Sequence, residues 1–173
     1  HDRFVKKQKD IGKFQPREAN LEIMKDKDLH YRVFDVSTNH FRDSYASYFH
    51  RNIGGYNAAK LRRYQDLINF HIKDGSNRVL SMLNTRYYIK RGQDGGQFVE
   101  RNSNALGNAW FVDDFQVVRD DQSEITRLST FDPGRTAVVH QEFAQDIMGL
   151  DPSPAGEVRL TRYEPNMLVY EYN

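Results

Sequence analysis

Three cations near the start of a predicted helix are the first candidates for binding chemistry: Lys60, Arg62 and Arg63. They follow the double-glycine turn Gly54–Gly55, which gives the backbone the freedom for a sharp entry into the helix. Guanidinium groups carry planar donors suited to phosphate or carboxylate, and the unpaired amides at a helix start add positive potential. The pattern predicts a docking or anion-binding face, but it is also typical of a solvated helix face on which Asp66 pairs with an arginine.

Large aromatic residues are the second group of candidates, as contacts for a carbohydrate. Trp110, Tyr87 and Tyr88, together with Phe111, have rings broad enough to line a sugar-binding cleft. Large aromatics at strand positions are more often core residues, so the same pattern is also typical of packing.

The spacing of polar residues matches no familiar catalytic or metal centre. The six histidines, at positions 1, 30, 40, 50, 71 and 140, never fall at the i, i+4 spacing of a helical metal pair, and the chain has no cysteine. Asp113 and Asp114 are neighbours at a predicted turn, whereas catalytic carboxylates must converge on one bond. The glycine-rich run Gly92–Gly96 precedes a predicted strand, where a phosphate-binding loop would precede a helix. We therefore assign no catalytic, cofactor-binding or metal-binding residue, and no cofactor.

Hydrophobic periodicity and turn residues indicate the elements that must position these side chains. The predicted helices cover residues 16–24, a long segment from Asn57 to Ile72 with Asn57 as N-cap, a short segment after Ser76, and Ser123 to Leu128 with Ser123 as N-cap. The expected core stripe of the long helix is Leu61, Tyr64, Ile68 and Ile72. The predicted strands cover residues 31–36, 86–90, 97–100, 110–112, 115–118, 136–140, 157–163 and 167–172. This order predicts an α+β fold, with helices mainly in the N-terminal half and a mixed or antiparallel sheet mainly from the C-terminal half.

The most loop-like segment, residues 149–156, suggests a boundary near the end of the chain. We expect an α+β domain over residues 1–150. Residues 151–173 are expected to form a terminal β-hairpin. The alternative is that this hairpin is the start of a separate β module that continues beyond Asn173.

Composition restricts the classes of partner. The 25 basic and 24 acidic residues leave a net charge of +1, so we expect no nucleic-acid partner. No apolar run approaches the roughly 20 residues of a membrane-spanning helix, and the N-terminal residues lack the apolar core of a signal peptide. The chain begins without methionine and ends after a predicted strand, so we expect it to be part of a larger protein.

Four blocks of the sequence resemble the extracytoplasmic region of the YfhO family of bacterial polytopic membrane proteins. They occur in the same order as in that family and extend over most of the chain. The blocks are His50–Leu67, Val79–Ile89, Asn104–Val112 and Tyr163–Asn166. The first three are specific, and the fourth is short.

The resemblance implies a function that the fragment serves inside a larger protein. The family is similar to membrane glycosyltransferases that take sugar from a polyprenyl-linked donor, and their catalytic acidic residue is expected in an early loop near the membrane. The resemblance therefore implies a non-catalytic, periplasmic or outer-facing domain of an integral inner-membrane protein that acts on cell-envelope glycans or lipids. Its implied partners are the membrane-embedded remainder of the same polypeptide and a lipid-linked sugar or envelope glycan. The alternative is an autonomous carbohydrate-binding module that uses Trp110 and the tyrosines, and a free-standing hydrolase ranks third.

Overall fold

The computed structural model describes residues 14–28, 30–152 and 156–173 and confirms the α+β class. The chain forms two compact units. The first unit comprises the chain up to Ala58 together with Thr85–Ser103, and the second unit comprises Ala59–Asn84 together with Asn104–Asn173.

The first unit is built on a mixed three-stranded sheet. Its described elements are helix α1 (Glu18–Ile23), strand β1 (Arg32–Asp35), a 3₁₀ turn (Tyr45–Tyr48), strand β2 (Thr85–Arg91) and strand β3 (Gln97–Arg101). Strand β1 runs parallel to β2, and β2 runs antiparallel to β3. The predicted hairpin between β2 and β3 is confirmed, because the Gly92 amide donates to the Gly96 carbonyl at 2.8 Å across the turn.

Helix α1 packs its apolar face against this sheet. The i, i+4 spacing of Ala19 and Ile23 puts both on one face, where they are buried with Tyr31, Val33 and Ile89. Burying these side chains contributes hydrophobic stabilisation to the first unit.

The double-glycine turn closes tightly on a neighbouring loop. Gly55 has φ +96°, and its amide donates to the His40 carbonyl at 2.6 Å. A Cβ atom on Gly54 would lie 2.0 Å from the same His40 oxygen. The expectation of a special backbone position at Gly55 is therefore confirmed.

The predicted N-cap of the following helix is wrong by four residues. Helix α2 covers Arg62–Leu67, and its N-cap is Leu61, not Asn57. The residues before it belong to a loop, in which Ile53 donates to the Val33 carbonyl and Tyr56 donates to the Ser44 hydroxyl. Leu61 lies before the helix and is 79% exposed, so it does not belong to the core stripe.

The π-helical turn Ile68–Ile72 continues α2 without a break. Helix α3, Asn77–Met82, begins after a turn at residues 73–76. Ile68 and Ile72 are buried as predicted, together with Val79. These residues form the apolar base on which the rest of the unit is arranged.

The strands of the second unit form two separate pairs. Strands β4 (Asp114–Val118) and β5 (Thr136–His140) are parallel and are connected through helix α4 (Asp121–Arg127). The predicted terminal hairpin is confirmed as β6 (Val158–Glu164) antiparallel to β7 (Met167–Tyr172). A 3₁₀ turn, Gln141–Phe143, follows β5.

Two local predictions in this half are wrong. Residues 110–112 are not a strand, because the indole of Trp110 bonds to the Pro133 carbonyl in an irregular segment. The N-cap of α4 is Asp120, whose carboxylate accepts from the Ser123 amide at 2.7 Å. Ser123 therefore lies inside the helix, and Asp120 occupies the N-cap position predicted for Ser123.

Across the residues that the structure describes, no helix combines the length and the apolar character needed to cross a membrane.

Candidate functional site

A concave site lies in the second unit, between α2, α4 and the segment that carries Trp110. It is a cavity of about 900 Å³, which is within the size range of small-molecule pockets. We call it the second-unit pocket. Its apolar lining consists of Leu67, Phe70, Met82, Ala109, Trp110, Val112, Ile125, Leu128, Phe131, Pro133, Ala137 and Val138. Its polar lining consists of Arg62, Arg63, Asp66, Asp121, Gln122, Glu124 and Thr136.

Trp110 is the largest ring in this pocket and is held in one orientation. Its indole Nε1 donates to the Pro133 carbonyl at 2.7 Å. Leu128 and Phe131 lie close to this segment in the lining and are 9% and 5% exposed. The indole N–H is therefore occupied, and what the ring offers a ligand is its apolar face.

The charged side of the pocket is organised as ion pairs. The Arg63 guanidinium donates to both carboxylate oxygens of Glu124, at 2.5 and 2.6 Å. Arg62 is 95% exposed, and its Nε lies 4.0 Å from Asp66 one helical turn away. The Arg63 pair is short and charge-assisted, with one guanidinium nitrogen facing both carboxylate oxygens, whereas the Arg62 pair is long and solvated.

The sequence candidates Arg62 and Arg63 thus line the same pocket as Trp110. Lys60 is half-buried and lies outside the lining. Arg62 and Arg63 occupy the first two positions of α2, where positive side chains oppose the helix dipole. Glu124, 61 residues further along the chain, compensates Arg63.

His71 in the π-helical turn fixes the position of α4. Its ring is only 4% exposed, and Nε2 lies 2.7 Å from the Ile125 carbonyl, so Nε2 carries the proton and donates. This bond holds the residue beside Glu124 and so supports the Arg63 pair. The sequence shows His71 only as a polar residue between Ile68 and Ile72, and its partner is not readable from the pattern.

The other two carbohydrate candidates, Tyr87 and Tyr88, belong to the first unit. The Tyr87 hydroxyl donates to Asp26 at 2.9 Å, and its ring meets Tyr31 edge-on at 5.2 Å. Burial and the bond to Asp26 raise the pKa of Tyr87, and burial raises the pKa of Tyr88. Tyr87 belongs to the polar network of the first unit, whereas the buried hydroxyl of Tyr88 has no hydrogen-bond partner among the described residues.

Arg86 is the centre of that polar network. Its guanidinium donates to Asp26 at 3.1 Å and to Asp28 at 2.7 Å, and lies 5.0 Å from the centre of the Tyr31 ring. Burial alone would raise the pKa of each aspartate. The hydrogen bonds outweigh burial, so both pKa values lie below the ordinary 3.8. The cluster ties the end of α1 to β2.

The adjacent carboxylates Asp113 and Asp114 do not form a catalytic pair. Arg135 donates to Asp113 at 2.6 Å, and Asp114 begins β4. Within the described ranges, no three His, Asp or Glu side chains are placed to hold a metal ion.

Comparison of the chain with protein-family models, with curated proteins and with solved structures finds no match.

Proposed function

We propose that this chain is a non-catalytic extracytoplasmic domain of a membrane-bound, glycosyltransferase-like protein that acts on cell-envelope glycans or lipids. The chain contributes ligand binding, and the membrane-embedded remainder of the polypeptide contributes the chemistry. The observation that carries the proposal is the second-unit pocket, in which one fixed tryptophan lies beside paired arginines and carboxylates.

The state of the carboxylates supports binding over catalysis. Glycosyl transfer needs a carboxyl group that can accept or donate a proton at the reacting bond. Both oxygens of Glu124 accept from Arg63, and Asp66 lies beside Arg62. Asp121 lies 3.8 Å from the imidazole of His140. The Glu124 carboxylate, held by Arg63, is suited to orient a ligand at the rim of the pocket, and Asp66 and Asp121 add exposed negative charge there.

The resemblance to the YfhO family supports the membrane-bound parent and the periplasmic or outer-facing location. In this proposal Arg62 is the side chain that meets the rest of the parent protein, because it is almost fully exposed and its one-turn pair is long. Arg63 has a different task, which is to hold Glu124 at the rim of the pocket.

Activity measurements on the chain and on its parent test the proposal. The purified chain, free of membrane protein, is expected to fold and to transfer no sugar from a polyprenyl-phosphate donor. The parent in membranes is expected to transfer sugar, and Trp110→Ala in the parent is expected to lower the rate. Turnover by the purified chain would contradict the non-catalytic assignment.

The sequence upstream of His1 distinguishes this proposal from an autonomous carbohydrate-binding module. Repeated apolar segments of spanning length support the membrane-bound parent. A signal peptide directly before the domain would favour the autonomous module.

A further inference from the structure

We infer that the second-unit pocket binds an uncharged saccharide, with a sugar ring stacked on Trp110 and sugar hydroxyls bonded to the polar side. This inference rests on the proposed function, in which the chain supplies ligand binding, and it specifies the class of ligand. It differs from the anion-binding face that the sequence alone suggests for Arg62 and Arg63.

The charge of the pocket disfavours an anionic ligand. Its lining holds two arginines and three carboxylates, which gives a net charge of −1. One terminal nitrogen of Arg63 already donates to both oxygens of Glu124, so a negative charge lies at the guanidinium that an anion would approach. A phosphate or carboxylate bound to the remaining Arg63 donors would therefore lie close to a like charge.

The polar groups favour a ligand that carries hydroxyls. Glu124 is 24% exposed on its side chain, and Gln122 is exposed beside it on α4. Carboxylate, amide and guanidinium groups can bond to hydroxyls while the Arg63 pair stays intact. An acyl chain would cover these groups and offer them no hydrogen bond, which costs free energy.

The apolar wall favours a ligand with a flat C–H face. Trp110 cannot turn to present its N–H, because that group already donates to Pro133. Its ring is therefore available for stacking and is held in place before the ligand arrives, which reduces the entropy lost on binding. Phe70, 53% exposed, adds a second ring to the lining. A cavity of about 900 Å³ has room for more than one sugar unit.

Trp110 is the only tryptophan in the chain, so its fluorescence reports on the pocket directly. The probes are neutral tetrasaccharides of glucose, galactose and N-acetylglucosamine, the corresponding uronic-acid tetrasaccharide, and vesicles of phosphatidylglycerol. At least one neutral tetrasaccharide is expected to shift the emission saturably. The acidic tetrasaccharide is expected to bind about tenfold more weakly, because of the net negative lining.

Variants locate the binding and test the charge argument. By calorimetry, Trp110→Ala is expected to abolish saccharide binding, and Gln122→Ala, an exposed change that leaves the core intact, to weaken it. Glu124→Gln releases Arg63 and removes a negative charge, so it is expected to narrow the preference for the neutral saccharide. Tyr56→Ala, an exposed aromatic change in the first unit, serves as the matched control and is expected to leave binding unchanged.

Three results would overturn the inference: no response to any neutral tetrasaccharide, a response to the vesicles alone, or equal affinity for the acidic tetrasaccharide. A measurement of sugar transfer by the parent protein in membranes distinguishes failure of the saccharide inference from failure of the proposed function. If the chain binds none of the saccharides but Trp110→Ala still lowers transfer by the parent, the ligand class is wrong and the proposed function stands. If the chain binds a neutral saccharide but transfer by the parent does not depend on Trp110, the ligand class stands and the proposed function fails.

Discussion

At the scale of single residues, two adjacent glycines lie close against the His40 carbonyl in the first unit. Gly54 leaves no space for a side chain, because the site of a Cβ atom is occupied by the His40 carbonyl. Gly55 has the positive φ that side chains rarely adopt, and a Cβ atom there would lie 2.8 Å from the Ser47 hydroxyl. The two residues restrict substitution for different physical reasons.

Gly55→Val is expected to lower the free energy of unfolding by about 1–3 kcal/mol, because a β-branched residue is strained at φ +96°. The measurement is the urea midpoint of the purified chain. Gly95→Ala is the matched control: it also has positive φ, at +81°, but open space around the added methyl group. It is expected to cost less, and an unchanged midpoint for Gly55→Val would remove the argument for a special turn.

At the scale of elements, the Asp26–Arg86–Asp28 cluster holds the end of α1 to strand β2. Because both aspartates have pKa values lowered from 3.8 in the folded chain, the unfolded chain binds more protons in acid. The stabilisation is present above the unfolded pKa and is lost as the pH falls below about 4 through the folded values.

Arg86→Met is therefore expected to lower the melting temperature at pH 7 and to reduce the loss of stability between pH 5 and pH 3. Thermal unfolding across that range measures both effects. Arg135→Met is the control, because the Arg135 side chain is 71% exposed beside Asp113, and it is expected to change little. A wild-type acid dependence retained in full by Arg86→Met would show that other carboxylates are responsible.

The elements also show what periodicity can and cannot predict. The buried positions Ile68 and Ile72 follow helical spacing, and the hairpins follow alternation with turn residues, so these parts were readable. The start of α2 is not readable in this way, because Leu61 fits the helical spacing but lies before the helix and is 79% exposed. Local propensity is too weak to show where such a helix begins.

The candidate site was predicted in part. Arg62, Arg63 and Trp110 were singled out by residue type, and the fold brings them to one pocket. The pairing of Arg63 with Glu124 crosses 61 residues, and the capture of the Trp110 indole by Pro133 crosses 23. Neither contact has a sequence signature, and both change what the pocket can bind. The Glu124 contact compensates the charge of Arg63, and the Pro133 contact fixes the orientation of the Trp110 ring.

At the scale of the whole molecule, the two arginines of α2 are expected to have different roles. One is expected to matter for the parent protein and the other for the stability of the pocket. Arg62 lies almost entirely in solvent, with a long contact to Asp66. Arg63 holds Glu124 against the pocket. In the proposed function, the first meets the remainder of the parent and the second maintains the binding site.

Arg62→Ala is expected to change the free energy of unfolding of the purified chain by less than about 0.5 kcal/mol, since surface changes away from packed features cost little. In the parent protein it is expected to impair assembly or glycosyl transfer in membranes. Arg63→Ala is expected to cost about 0.2–1 kcal/mol in the purified chain, because it removes the cation that pairs with the Glu124 side chain, which is only 24% exposed. Melting curves of the chain and transfer assays on the parent measure the two effects. Normal assembly and transfer with Arg62→Ala would exclude the docking role, and unfolding of the purified chain by the same change would show that Arg62 is structural.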